Sequence, residues 1–206
     1  MPITKDDVVL VTGASGYIAS WLVYYLLQTG CKVRGTVRDP NNEKKVKHLK
    51  ELPGAAERLE LVALDLNNES QFPAVVEGVT LIAHTASPFP AAEPKHEDEL
   101  IKPAVNGTLG VLRAALKVPT VRAVVVTSSV AAVGEGASLK GEQAKVRGEN
   151  DWTNPDKAIA YSKSKTLAEK VSSPRFQNIH RFTTKVLTSL SRLPGISGRR
   201  TTNPGP

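Results

Sequence analysis

Tyr161 and Lys165 stand four residues apart in the stretch Tyr161-Ser162-Lys163-Ser164-Lys165. On a helix that spacing puts both on one face, a turn apart, so the Lys165 ammonium can approach the Tyr161 phenol. A free phenol gives up its proton near pH ~10; reaching neutrality takes about three pH units, or ~4 kcal/mol of added stabilisation of the phenolate. A fixed cation is the simplest source, and the pair then acts as a proton donor. The same spacing also fits a solvated helix surface, so the direction comes from a second motif.

That motif is Gly13-Ala14-Ser15-Gly16-Tyr17-Ile18-Ala19, preceded by the β-branched run Val8-Val9-Leu10-Val11. The run reads as a buried strand, and Ile18, Trp21, Leu22, Val23, Tyr25 and Leu26 give the following segment a broad apolar helical face that stops near Gly30. Strand, glycine turn and helix form the opening of a dinucleotide-binding unit, where backbone N–H groups at a helix N-terminus receive a pyrophosphate. The spacing is Gly-x-x-Gly-x-x-Ala, with Ala19 small enough for helix packing. No Gly-Lys-Ser or Gly-Lys-Thr follows, which excludes a phosphate loop of the nucleoside triphosphatase type.

A second strand, Lys32 to Val37, ends on Arg38, where a site for NAD usually carries an acid. The planar guanidinium of Arg38 suits a ribose 2′-phosphate, worth roughly 1.5 to 3 kcal/mol for a charged hydrogen bond, and favours NADP(H). Asp39, one residue later, leaves NAD(H) open. Lys44, Lys45 and Lys47 open the next helix and extend the positive field.

The elements that must position these residues alternate along the chain. Strands are expected at Leu59–Val62, Thr80–His84 and Val121–Thr127, and helices at Glu69–Val76 and Glu97–Lys117, with Pro103 kinking the latter or delaying its start. Such alternation predicts an α/β fold, a doubly wound parallel sheet with helices on both faces, with ligands outside the carboxyl ends of the strands. There lie Asp65-Leu66, His84-Thr85-Ala86-Ser87-Pro88 and Thr127-Ser128-Ser129. His84 reads as a strand-end residue rather than a general base. With 206 residues, 40% of them hydrophobic, there is enough for one compact domain. A single cysteine, Cys31, excludes an intrachain disulfide and points to the cytoplasm; no stretch is long and apolar enough for a membrane span, and no residues show metal-ligand spacing.

Taken together, Val11-Thr12-Gly13-Ala14-Ser15-Gly16, Thr36-Val37-Arg38-Asp39-Pro40, His84-Thr85-Ala86-Ser87-Pro88, Pro103-Ala104-Val105-Asn106-Gly107-Thr108, Thr127-Ser128-Ser129 and Tyr161 to Lys170 resemble the extended short-chain dehydrogenase/reductases. Within them they resemble the dihydroflavonol-4-reductase-like, NADPH-dependent carbonyl reductases. The resemblance implies a Rossmann-type domain over residues 1–171 that reduces a ketone or aldehyde, aromatic or flavonoid-like, to an alcohol. It implies Tyr161 as acid and cofactor contact, Lys165 as its electrostatic partner and ribose contact, and Ser129 as the second hydrogen bond to the substrate oxygen. For the cofactor it implies Gly13, Ser15, Gly16, Tyr17 and Ile18 at the pyrophosphate and Arg38 and Lys45 at the 2′-phosphate. Asp65 and Leu66 fall at the adenine, with Thr85, Ala86 and Ser87 alongside. Asn106 is assigned a structural place between helix and sheet.

Beyond Val171 the family pattern stops. Residues 172–206 carry six positive charges and no acid, leaving +1 of the net +7 to the rest. They read as a basic, disordered, divergent tail, the product of a truncated or shifted reading frame, with the C-terminal substrate lobe largely missing. Specific nucleic-acid binding is not expected of the near-neutral domain, and oligomeric state is open. Two other functions stay in view: an NAD-dependent epimerase or dehydratase of nucleotide sugars, and a catalytically weak or inert nucleotide-binding fragment whose basic tail engages an acidic partner.

Overall fold

Val8–Thr12 forms the central strand β1, because its β-branched side chains pack on both faces of a pleated sheet. The computed structural model describes residues 2–89, 92, 94–134, 151–172 and 183–187. From β1 the chain continues as α1 (Tyr17–Gln28), β2 (Lys32–Val37), α2 (Glu43–Lys50), the single turn α3 (Ala55–Arg58) and β3 (Leu59–Ala63). A 3-10 turn leads into α4 (Phe72–Val76), followed by β4 (Leu81–His84), α5 (Asp98–Lys117), β5 (Ala123–Thr127), α6 (Ala131–Gly134), α7 (Ala160–Ser172) and β6 (Thr183–Leu187).

The six strands lie in the order β3-β2-β1-β4-β5-β6, all parallel. Alternate residues divide two cores. Val9, Val11, Val33 and Val37 face α1, α2 and α3, while Leu10, Ile82, Val124 and Val126 face α4 and α5. The expected doubly wound Rossmann-type sheet is thus present, with the order reversing between β1 and β4.

Two expectations are corrected. Pro103 does not delay α5; the helix starts at Asp98 and carries the proline inside, in its second turn. Secondly, Thr183–Leu187 lies in the segment read as a disordered tail, yet it is a strand whose register runs from Ala123↔Thr183 to Thr127↔Leu187. Thr183, Thr184 and Val186 are β-formers, and the outer edge of β5 offers them a backbone template. The remainder of residues 172–206 lies outside the described residues, except Ser172, which ends α7.

At the amino end of the sheet a clamp centred on buried Asp7 joins β1 to the entrances of β4 and β5. Arg122 donates through Nη2 to both Asp7 carboxylate oxygens at 2.7 Å, and the Thr80 hydroxyl donates to Asp7 Oδ1 at 2.8 Å. Burial alone would raise the Asp7 pKa, but the bonds from Arg122, the Thr4 N–H and Thr80 outweigh it and hold the carboxyl at about 2. The folded carboxyl is therefore more acidic than the unfolded one. Its contribution is complete above the unfolded value near 4 and fades as pH falls through 2. Asp7→Asn should cost about 2 kcal/mol of folding stability at pH 7 and almost nothing at pH 2. Urea unfolding at the two pH values measures this, and an equal cost at both would show that the charge is not what stabilises the clamp.

Candidate active site

Gly13 begins the site because the chain must leave β1 with φ +68°, a conformation that L side chains rarely adopt. A Cβ there would also lie 3.1 Å from both Cα and Cβ of Ala86 in the β4 loop. The turn is stitched to β2, with Gly13 N–H donating to Thr36 Oγ1 at 3.1 Å and Ala14 N–H to Thr36 O at 2.8 Å. Gly16 caps α1 without a side-chain hydrogen bond, so the first-turn N–H groups beside Ser15 point out past small residues. Tyr17 is 81% exposed and Ile18 is exposed beside it.

Because every strand is parallel, the other expected residues emerge at the same edge. Arg38 follows β2 and is exposed, as is Lys45 on α2. Asp65 follows β3, where its Oδ1 accepts from the Asn67 N–H at 2.9 Å; Leu66 is half-buried and packs so tightly on α5 that a Cβ at Gly107 would meet it at 2.9 Å. Thr85, Ala86 and Ser87 follow β4 and are half-buried.

The β4 loop is held by a hydrogen-bond chain whose polarity can be worked out. Thr12 Oγ1 accepts from the N–H groups of Thr85 at 3.1 Å and Ala86 at 3.0 Å, which leaves its proton for His84 Nδ1 at 2.9 Å. On the other side, Thr108 Oγ1 donates to Ala104 O at 2.8 Å and so meets His84 Nε2 at 3.4 Å as an acceptor. His84 is therefore neutral, with its proton on Nε2. Burial, reinforced by the nearby positive charge of Lys165, pushes its pKa down to about 4. Both ring nitrogens are committed, and the ring is 3% exposed.

α7 brings Tyr161, Lys165 and Glu169 onto one stripe at four-residue spacing. Four other buried residues of the helix, Ser162, Ser164, Thr166 and Ser172, are small. Ser164 and Thr166 return their hydroxyl protons to carbonyls of their own helix, at 2.6 and 2.8 Å. Small, self-satisfied side chains let α7 lie close on its neighbours. Thr153 N–H donates to Ala132 O at 2.9 Å, Thr153 Oγ1 to Ala131 O at 2.8 Å, and Lys163 pairs with Glu97 ahead of α5 at 2.9 Å. Lys165 is 7% exposed, and burial lowers its pKa while Glu169 partly restores it.

The end of β5 supplies the two serines. Ser129 Oγ accepts from the Ala131 N–H at 3.2 Å, leaving the hydroxyl proton available to a ligand. Ser128 turns the other way and donates to Glu169 Oε2. The Tyr161 ring meets Phe89 edge to face, with centroids 5.3 Å apart, and Phe89 is 79% exposed. Sequence reasoning missed Phe89, Thr108 and Glu169. Only Glu169 carried a usable signal, its spacing four residues beyond Lys165. Among the described residues no group of His, Cys, Asp or Glu could hold a metal ion, and no helix is long and apolar enough to cross a membrane.

The chain is similar to several known proteins. The model of the 3-beta hydroxysteroid dehydrogenase/isomerase family matches residues 10–201. Cinnamoyl-CoA reductase CAD2 of Medicago truncatula is 47% identical over 170 residues, 81% of this chain and 52% of that protein. Dihydroflavonol 4-reductase of Arabidopsis thaliana is 42% identical over 177 residues, 82% and 45% respectively. Among solved structures, vestitone reductase from alfalfa superposes with a TM-score of 0.70 at 34% identity, over 88% of this chain and 56% of that one. Yeast methylglyoxal/isovaleraldehyde reductase Gre2 complexed with NADPH gives 0.75 at 29% identity, over the same shares. The chain spans about half the length of the relatives it matches.

The committed state of His84 has a measurable consequence. As pH falls, the unfolded chain protonates at this histidine near 6.5, before the folded one does near 4. Stability is complete above pH 6.5 and should fall by roughly 3 kcal/mol as pH approaches 4. His84→Asn, whose amide oxygen still accepts from Thr12, removes this component. Urea unfolding in steps between pH 7 and 4 checks it; a variant as acid-sensitive as the wild type would assign the loss elsewhere.

Proposed function

The chain belongs to the 3-beta hydroxysteroid dehydrogenase/isomerase family, and from that premise we propose that it is an NADPH-dependent oxidoreductase reducing a ketone or aldehyde to an alcohol. The observation that supports this is the cavity where the β4 loop and the end of β5 meet Lys165 of α7, beside the Gly13 turn that packs on Ala86. The carboxyl edge of a doubly wound sheet is where such folds bind ligands.

The residues present fit a dinucleotide. A Cβ at Gly13 would crowd Ala86 and strain the positive φ, and α1 presents uncapped N–H groups beside Ser15, Gly16, Tyr17 and Ile18, which suit a pyrophosphate. Arg38 and Lys45 would hold a 2′-phosphate, Asp65 and Leu66 the adenine side, and Thr85, Ala86 and Ser87 the path between. Arg38 favours NADPH over NADH. The bound cofactor supplies hydride to the carbonyl carbon. Tyr161 donates its phenolic proton to the carbonyl oxygen, which Ser129 holds by a second hydrogen bond. Lys165 stabilises the charge left on Tyr161. The exposed ring of Phe89 beside Tyr161 supports a flat, apolar or aromatic substrate, in keeping with the cinnamoyl and dihydroflavonol compounds in the relatives' names.

A second reading is a nucleotide-binding unit without turnover, since the dinucleotide-side residues form a set apart from Tyr161 and Ser129. The two separate in one set of measurements. NADPH should raise the unfolding midpoint of the 206-residue chain more than NADH does. Arg38→Ala should cut the preference by roughly 10- to 100-fold, the equivalent of about 1.5 to 3 kcal/mol. Tyr161→Phe should lower kcat on an aromatic aldehyde by about 10²- to 10⁴-fold while the cofactor still binds. Binding that discriminates the cofactors without any turnover would establish the second reading, and no shift with either cofactor would refute both.

A further inference from the structure

Lys165 has a problem that the Tyr161 pairing does not solve, namely how an ammonium stays charged at 7% exposure. A small cavity lies against it, and the groups around that cavity can be enumerated by element. β4 contributes His84 and its loop, α5 contributes Thr108, β5 contributes Val126, Thr127 and Ser128, and α7 contributes Lys165, Ala168 and Glu169. Three of these titrate. His84 is neutral, with both ring nitrogens bonded, and gives Lys165 no counter-charge. Glu169 is the one acid lining the cavity, 8% exposed and one helical turn beyond Lys165. Its carboxylate is not free to leave, because the Ser128 hydroxyl donates to Oε2 across the α7–β5 contact. Burial raises the Glu169 pKa, and the bond from Ser128 and the charge of Lys165 act against that rise. A buried cation without a partner neutralises instead of staying charged.

We propose that Glu169 is a positioning residue of the Tyr161/Lys165 pair. Anchored by Ser128 at the end of β5, its carboxylate keeps buried Lys165 protonated and ties the α7 stripe to the strand end that carries Ser129. This rests on the reading of Tyr161 and Lys165 as the proton-donating pair. Glu169 touches neither substrate nor cofactor in this scheme; it acts through Lys165. Ser128, the serine not assigned to the substrate, thereby gains a role distinct from that of Ser129.

The test uses the full chain with ¹³C-labelled lysine, the Lys165 signal being identified by its loss in Lys165→Arg. Glu169→Gln keeps an acceptor for Ser128 but removes the charge. Lys165 should then titrate about one pH unit or more below its wild-type midpoint, since a desolvated ammonium has lost its counter-ion. Ser128→Ala keeps the charge, so Lys165 should titrate closer to the wild-type value than in Glu169→Gln. The alkaline limb of the pH–rate profile for aldehyde reduction should move to lower pH with the lysine. If Glu169→Gln gives no cooperative unfolding, Glu169→Asp, which keeps the charge on a shorter arm, should give a smaller shift in the same direction. A Lys165 midpoint unchanged in Glu169→Gln, or in Glu169→Asp where that variant replaces it, overturns the proposal. A shifted lysine in a chain that turns over no carbonyl supports the Glu169 assignment and tells against the reductase reading alone.

Discussion

A hydroxyl with one proton and two acceptor positions can satisfy only three neighbours, and at Thr12 all three are filled by elements that the site needs. Two N–H groups of the β4 loop and the Nδ1 of His84 converge on it. Gly13, the next residue, must then leave the strand with positive φ and pass within contact of Ala86. The glycine turn and the β4 loop are therefore one unit, set by a single side chain at the end of β1. Through His84 and Thr108 the same chain of bonds reaches α5, against which the Tyr161 helix is held by the Lys163–Glu97 pair. Cofactor-side and proton-donor-side residues thus share a frame.

The sheet is asymmetric along its strands. At the amino end, charge is used for cohesion, with Asp7, Arg122 and Thr80 closing β1, β4 and β5 in a saturated cluster. At the carboxyl end, polar groups are left with capacity to spare: exposed Arg38, the uncapped start of α1 and the hydroxyl proton of Ser129. The inner wall beneath that end carries the buried Lys165 and Glu169. Inward, Glu169 is bonded to Ser128, and Thr12, His84 and Thr108 form a chain, while the outward-facing groups keep capacity for a ligand.

Much of this was legible in the sequence, for definite reasons. Period-two runs such as Val8-Val9-Leu10-Val11 and the 3.6-residue apolar face of the first helix state their structure locally, and a parallel sheet then puts every strand's end at one edge. That logic placed Gly13, Arg38, Asp65, Thr85 and Ser129 on the same side before any coordinates. It failed where a contact crosses the chain. Phe89 meets Tyr161 across 72 positions, and Thr108 meets His84 across 24, with no periodicity to announce either. A delayed helix start was expected from the propensity of Pro103, whereas α5 begins at Asp98, ahead of the proline. Thr183–Leu187 was read with the basic residues around it; the free edge of β5, a feature no local window contains, makes it a strand.

An all-parallel sheet also dictates how the chain assembles. Among the described residues no strand has a hairpin partner. The first register, Val8↔Lys32, already closes a loop that encloses a whole helix, and the pairing Val9↔Leu81 must wait until three strands have been made. Because β2 and β3 add on one side of β1 and β4, β5 and β6 add on the other, growth from the amino terminus never needs to insert a strand between two already paired. Each new strand docks on an open edge. The strand order therefore permits the sheet to be laid down during synthesis, from its centre outward, at the slow rate that distant pairings impose.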